Sequence, residues 1–284
     1  METLVPGQMP RAGLLLLPLL LCFRPETAGS IDPNALKAIV DHVHKYRPVT
    51  RPTPTHQYAV AISLPQSMCK GISPSELEEH LPMAELQAMK SKLETDLLYE
   101  GDHIVAAKPD TSGQRSLHSE WLMLSLDQNG VSPVSRLLDK ARGQTKCQET
   151  RALDEMHGNN RYTRSFPNNP CGWNSCFVFF TYYAPCLRTC LSLTDDHRIQ
   201  ELMDGIFSAI DEDHRALAFK EVFGQDINRG KQLVWNSWQT LCNVPIYQCN
   251  DQGCQSCEEK DVNKNLCLTA VKNPVTPAPK ADHE

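Results

Sequence analysis

Apolar positions along the chain recur in two rhythms. Leu36, Ile39, Val40 and Val43 fall on one helix face behind Asp32, a plausible N-cap, and Pro33, so Asp32 to Lys45 predicts a helix. Pro48, Pro52 and Pro54 make an extended link, and the apolar run from Tyr58 to Leu64 predicts a strand. Ser73 and Glu76 have capping-box spacing before Leu77, Leu81 and Met83, and a further amphipathic stretch, interrupted by Pro82, reaches Leu98. His103 to Lys108 is a second strand candidate. Ser116 to Leu126 fits a strand or a helix, since a short apolar run does not distinguish them. Ser132 to Lys140 reads as a short helix, and Arg142 to Trp173 as a polar loop or insertion. Cys176 to Tyr183 is an unbroken apolar or β-prone run, as expected of a central strand buried on both faces. A helix over Thr194 to Ile210, a strand over Ala216 to Phe223 and a helix over Asn228 to Leu241 follow. Interleaved helices and short apolar strands predict an α/β fold whose sheet is covered on both faces.

The ends of the chain break these rhythms. Arg11, the apolar block Gly13 to Phe23 and the small residues Thr27 to Ser30 have the layout of a secretory signal peptide cleaved near Ala28. The block is about half of the roughly 20 residues that a membrane-spanning helix needs, and no later segment approaches that length. A secreted, extracellular product without a membrane span is therefore expected. The domain layout becomes a leader at 1–28, a main domain at 29–245 with an insertion around 132–173, a Cys-rich, disulfide-stapled extension at 246–272 and a disordered tail at 273–284.

Eleven of the twelve cysteines follow the leader. An oxidising compartment pairs most of them, and the odd number leaves at least one free, metal-bound or intermolecular. Formal net charge is −6 with or without the leader, which argues against non-specific grip on long nucleic acid.

Two strings carry candidate chemistry: His118-Ser119-Glu120, and Pro185-Cys186-Leu187-Arg188-Thr189-Cys190 directly after the strongest strand. One imidazole and two thiolates are three ligands of a tetrahedral zinc, leaving a fourth position open as in catalytic sites. If His118 stands at a helix start, its spacing to Glu120 puts one side chain on the metal and the other beside it. Disulfide bonding is the default for Cys186 and Cys190 in a secreted chain; Pro185, the buried strand before it and the earlier His118 and Glu120 favour zinc.

These strings resemble the signature of the cytidine deaminase superfamily, His-x-Glu followed by Pro-Cys-x-x-Cys. Here the cysteines are separated by three residues rather than two, and the interval from Glu120 to Cys186 implies an insertion. The resemblance implies a three-layer α/β/α sandwich around a mixed sheet of about five strands, with His-x-Glu opening the second helix and Pro-Cys the third. It implies Zn2+ on His118, Cys186 and Cys190, and Glu120 as the proton carrier in hydrolytic deamination of a cytosine or adenine base. The substrate would be a nucleobase, nucleoside or nucleotide, or single-stranded nucleic acid. Tyr182 and Tyr183 stand where such proteins often place an aromatic or polar residue near the base pocket.

Other readings stay open. Tyr182 and Tyr183 are most simply strand packing, and the basic stretch from Arg136 to Arg164 is a solvated loop or a grip for single strands. Cys254 and Cys257 have zinc-ligand spacing, although disulfides suit the compartment better. A secreted binding protein on a metal-free deaminase scaffold is the alternative from another class, and a secreted nucleic-acid-editing effector or defence protein is a third.

Overall fold

The computed structural model describes residues 30–49, 57–144 and 175–272. The leader, the insertion from residue 145 onward and the tail expected from residue 273 lie outside the described residues.

The N-terminal half forms as its local chemistry dictates. Helix α1 (Pro33–His44) starts where an Asp32 carboxylate oxygen accepts the N–H groups of Asn34 and Ala35, at 2.8 and 2.9 Å. Strand β1 (Ala59–Pro65) follows, then α2 (Pro74–His80), closed by the reciprocal Ser73–Glu76 capping box, and α3 (Met83–Thr95). Strands β2 (Leu98–Glu100) and β3 (Ile104–Ala107) form a hairpin. The ambiguous run resolves as a helix, α4 (Ser119–Leu124), in which the adjacent Met123 and Leu124 are both buried against one core; a strand would have sent them to opposite faces.

The second half comprises α5 (Pro133–Gln144), β4 (Ser175–Tyr183), α6 (Gln200–Phe207), β5 (Arg215–Glu221), the one-turn α7 (Gly224–Ile227), α8 (Lys231–Trp238), β6 (Ile246–Asn250) and β7 (Gly253–Ser256). Helix α6 is shorter than the expected Thr194 to Ile210. Asp195 takes the His197 N–H with its side chain, and the Ile199 N–H bonds the Cys190 carbonyl, so the residues before Gln200 have partners other than a helical turn.

The seven strands of the described residues join one mixed sheet, ordered β2-β3-β1-β4-β5-β6-β7. Strands β4, β5 and β6 run parallel, and the remaining neighbours pair antiparallel. Seven strands exceed the five expected. The three-residue β2 and the polar, Cys-containing β6 and β7 lack the apolar run that marks β1 and β4, and they are recruited by neighbours already in place. The Cys-rich segment thus contributes two strands to the sheet's edge.

Strict alternation divides the sheet into two faces. Ala59, Ala61, Phe177, Phe179, Leu217 and Phe219 pack beneath α4, α5, α6 and α8, whereas Tyr58, Val60, Ile62, Val178, Phe180 and Ala218 pack against α1, α2 and α3. Helices therefore cover both faces, giving the three-layer α/β/α sandwich. Disulfide Cys69–Cys176 ties the turn after β1 to the start of β4, and Cys249–Cys254 and Cys257–Cys267 staple the β6–β7 edge. Cys242 is disulfide-bonded as well. Cys254 and Cys257 thus belong to two separate disulfides rather than to a metal site.

Candidate metal centre

Antiparallel β1 and parallel β5 flank β4, and a parallel pair opens a crevice beyond its strand ends where ligands commonly sit. Just past that end, Pro185 turns the chain into the segment carrying Cys186 and Cys190. His118 arrives from the same helical layer as the extended N-cap residue of α4. Its Nδ1 lies 3.1 Å from Cys190 Sγ and 3.6 Å from Cys186 Sγ, and the ligating atoms of the three residues all fall within 4.8 Å of one another. Tetrahedral zinc bonded at about 2.3 Å to sulfur and 2.0–2.1 Å to nitrogen would put N and S roughly 3.6 Å apart. The Cys186 separation matches this, and the Cys190 one is tighter. Both cysteines are buried and unpaired by any disulfide, so the donor set fits a zinc ion.

The ligand segment is built from turns. The Leu191 N–H bonds the Cys186 carbonyl at 3.0 Å, the Ala184 N–H bonds the Glu221 carbonyl on β5 at 2.8 Å, and the Leu187 N–H bonds the buried Asp226 carboxylate at 3.2 Å. The resemblance implied that Pro185-Cys186 opens a helix; regular helix begins only at Gln200. With three residues between the cysteines, both sulfurs reach one point from a turn.

Electrostatics at the cluster is asymmetric. The Cys186 thiol is lowered to about 3 by a hydrogen bond from Cys190 and, against the opposing effect of burial, by the His118 ring; the Cys190 thiol is pushed well up by its hydrogen bond to Cys186 and by burial. His118 is raised, first by its hydrogen bond with Cys186 and further by the charges of Cys186, Glu120 and Asp195. Seating a zinc ion requires a neutral imidazole and two thiolates, so loading releases protons and weakens as pH falls.

Glu120 is buried in the first turn of α4. Its Oε1 accepts the Thr181 hydroxyl at 2.7 Å and the Gln57 amide at 2.9 Å, while Oε2 accepts from Ser119 at 3.1 Å. Gln57 is itself pinned, because its Oε1 accepts the Tyr183 N–H at 3.0 Å. Residue-type motifs missed Gln57, Thr181 and Asp226. Alternation held a signal for the first two: Gln57 shares a face with Ala59 and Ala61, and Thr181 is the polar member of the Phe177-Phe179 face. Asp226 had none.

The rings of Tyr182 and Tyr183 pack edge-on, 4.9 Å between centroids, and each has a different further neighbour. Tyr182 faces the α1 layer, 5.8 Å from the His44 ring, with its hydroxyl donating to Glu221 at 2.9 Å. Tyr183 also packs edge-on against Phe223, 5.6 Å between ring centroids. Trp121 and His197 make another edge-on pair at 5.0 Å. Of the basic stretch, Arg136 is held by Glu100 and Asp127, and Lys140 donates to the Gly101 carbonyl beside Asp102. The residues from 145 to 164 lie outside the described ones.

One family model matches the chain, over residues 33–150 and 143–271; its description reads Secreted Novel AID/APOBEC-like Deaminase 1. No curated protein and no solved structure matches. Among the described residues, no helix is long and apolar enough to cross a membrane.

Proposed function

The chain belongs to the Secreted Novel AID/APOBEC-like Deaminase 1 family, and from that premise we propose that it is an extracellular, zinc-dependent hydrolytic deaminase of a cytosine or adenine base. The observation that carries this reading is the convergence of His118, Cys186 and Cys190 within 4.8 Å beside the buried carboxylate of Glu120. His118, Cys186 and Cys190 would hold the metal. When bound, zinc supplies a Lewis acid that brings the ionisation of water to about pH 7.

The chain's own groups do the rest. Oε1 of Glu120 is occupied by the Thr181 and Gln57 donors and fixes the carboxylate, whereas among the described residues Oε2 has only the longer Ser119 contact. Oε2 is therefore the atom that moves two protons in turn, the first from the attacking water to the ring nitrogen and the second from the added hydroxyl to the departing amino group. Water adds at the amino-bearing carbon, the C–N bond breaks, and a carbonyl and ammonia result. Tyr183 and Phe223 supply apolar surface for the flat base, free or at the end of a single strand. Tyr182 supports that surface through its edge-on contact with Tyr183 and its hydrogen bond to Glu221.

The test is zinc quantification with a free-thiol count on protein secreted from an oxidising host, followed by ammonia release from cytosine- and adenine-containing nucleosides and single strands. Stoichiometric zinc is expected, with Glu120→Gln keeping the metal and losing the activity. Zinc-free protein with Cys186 bridged to Cys190 would overturn the reading and leave a binding protein on a deaminase scaffold.

A further inference from the structure

Asp226 is a buried carboxylate that this chemistry leaves unused. It lies in α7, the single turn that follows β5, and its own N–H bonds back to the Phe223 carbonyl at 2.8 Å, which aims the side chain toward the end of β4. There Oδ2 accepts the N–H of Leu187, the residue next to Cys186, at 3.2 Å. Three hydrogen bonds thus bracket Cys186: Ala184 to Glu221, Leu187 to Asp226, and Leu191 to the Cys186 carbonyl. Two are between backbone groups; only that of Asp226 comes from a side chain.

The ligand segment has no helix at this point to order its amides, because regular helix starts at Gln200. A turn with three residues between its cysteines can pivot about Pro185 and carry the Cys186 sulfur away from His118. A buried acceptor on an adjacent strand's continuation removes that freedom. A buried carboxylate is costly to desolvate and persists where it meets a polar group with no other partner.

We propose that Asp226 is a positioning residue of the metal centre, which holds the Cys186 sulfur in ligating position by accepting the Leu187 N–H. This rests on the zinc reading given above. Outer-shell partners of metal ligands typically change metal affinity by about 10–100-fold when removed.

The full secreted chain is prepared as wild type, Asp226→Ala and Asp226→Asn. Each form is titrated with zinc against a competing chelator, and each is loaded with cobalt(II) to record the thiolate charge-transfer and d–d bands. Asp226→Ala should bind zinc about 10–100-fold more weakly and alter the cobalt spectrum. Asp226→Asn keeps an oxygen acceptor at the same reach and should restore most of the affinity and the wild-type spectrum, a rescue that general destabilisation would not produce. Circular dichroism checks that each variant is folded, and if the alanine variant is not, the asparagine variant decides. Wild-type affinity and spectrum in folded Asp226→Ala would overturn the inference. So would an asparagine variant impaired as much as alanine, since the effect would then lie in the charge. Wild-type protein that takes up no zinc would instead sink the proposed function, an outcome visible before any variant is compared.

Discussion

Replacing Glu85 with alanine should cost the protein about 2–4 kcal/mol, with the largest loss at mildly acidic pH. Glu85 stands in the first turn of α3 and reaches the β2–β3 hairpin, where its carboxylate accepts Asp102 N–H at 2.8 Å, His103 N–H at 2.9 Å and His103 Nδ1 at 2.8 Å. The side chain is 10 % exposed, and the fit is close enough that a Cβ on Gly101 would stand 2.2 Å from Glu85 Oε1. Each hydrogen bond to a charged group contributes about 1.5–3 kcal/mol, and water can re-solvate the more exposed donors after truncation, which brings the sum to about 2–4 kcal/mol. For a domain of this size that is roughly 4–16 °C in Tm.

The pH dependence follows from two opposed shifts. Burial raises the Glu85 carboxyl, but the hydrogen bonds from the His103 ring and backbone outweigh it and leave Glu85 below its ordinary value of 4.5. The hydrogen bond to Glu85 lifts His103 above 6.5 despite partial burial. The Glu85 contribution is present in full above the unfolded carboxyl pKa and is lost as pH falls through the lower folded value. The His103 contribution is present in full below the unfolded imidazole pKa and is lost as pH rises through the higher folded value. The difference between wild type and Glu85→Ala should therefore peak between about pH 4.5 and 6.5 and shrink on both sides. Urea unfolding with disulfides intact, at about pH 3, 5.5 and 8.5, measures it. A difference under about 0.5 kcal/mol at the middle pH, or one that does not vary with pH, would refute the reasoning.

Two further outcomes are expected. Gln57→Leu and Thr181→Val each remove a donor to Glu120 Oε1 without touching a ligand, so both should retain zinc and lower turnover by about 10-fold or more, at about 1.4 kcal/mol per decade, with full activity in either variant counting against the carboxylate's support. Cys69→Ala combined with Cys176→Ala opens a loop with a sequence separation of 107, for which chain entropy gives about 4.8 kcal/mol; thermal or urea unfolding reads the loss, and an unchanged midpoint would mean that the covalent link constrains little.

Period and residue type were enough to read much of this protein. Asp32, Pro33 and the Leu36-Ile39-Val40-Val43 stripe specify α1 through local hydrogen bonds and one buried face, and the unbroken run of β4 has no stable place except the middle of a sheet. His118, Cys186 and Cys190 stood out as a candidate set because metal chemistry demands those side chains, whatever separates them along the chain, and the fold brings the three together. Glu120 stood out as a candidate from its place in the same string, and the fold buries it. Other features had no local cause. Strands β6 and β7 are held by pairing with β5 and by Cys249–Cys254 more than by an apolar rhythm of their own. Helix α6 starts late because the Ile199 N–H finds the Cys190 carbonyl, a partner nine positions earlier that only the folded turn supplies. Tyr182 and Tyr183 stay in edge-on contact with each other, but only the fold gives Tyr182 the His44 ring and Tyr183 the Phe223 ring as further neighbours. Gln57 meets Thr181 and Glu120 through the antiparallel β1–β4 register, and Asp226 meets Leu187 through the parallel β4–β5 pair. Residue type determined which groups could bind a metal or move a proton. The tertiary structure decided which of them are held still, because a buried hydrogen bond between distant segments exists only once the sheet has brought those segments together.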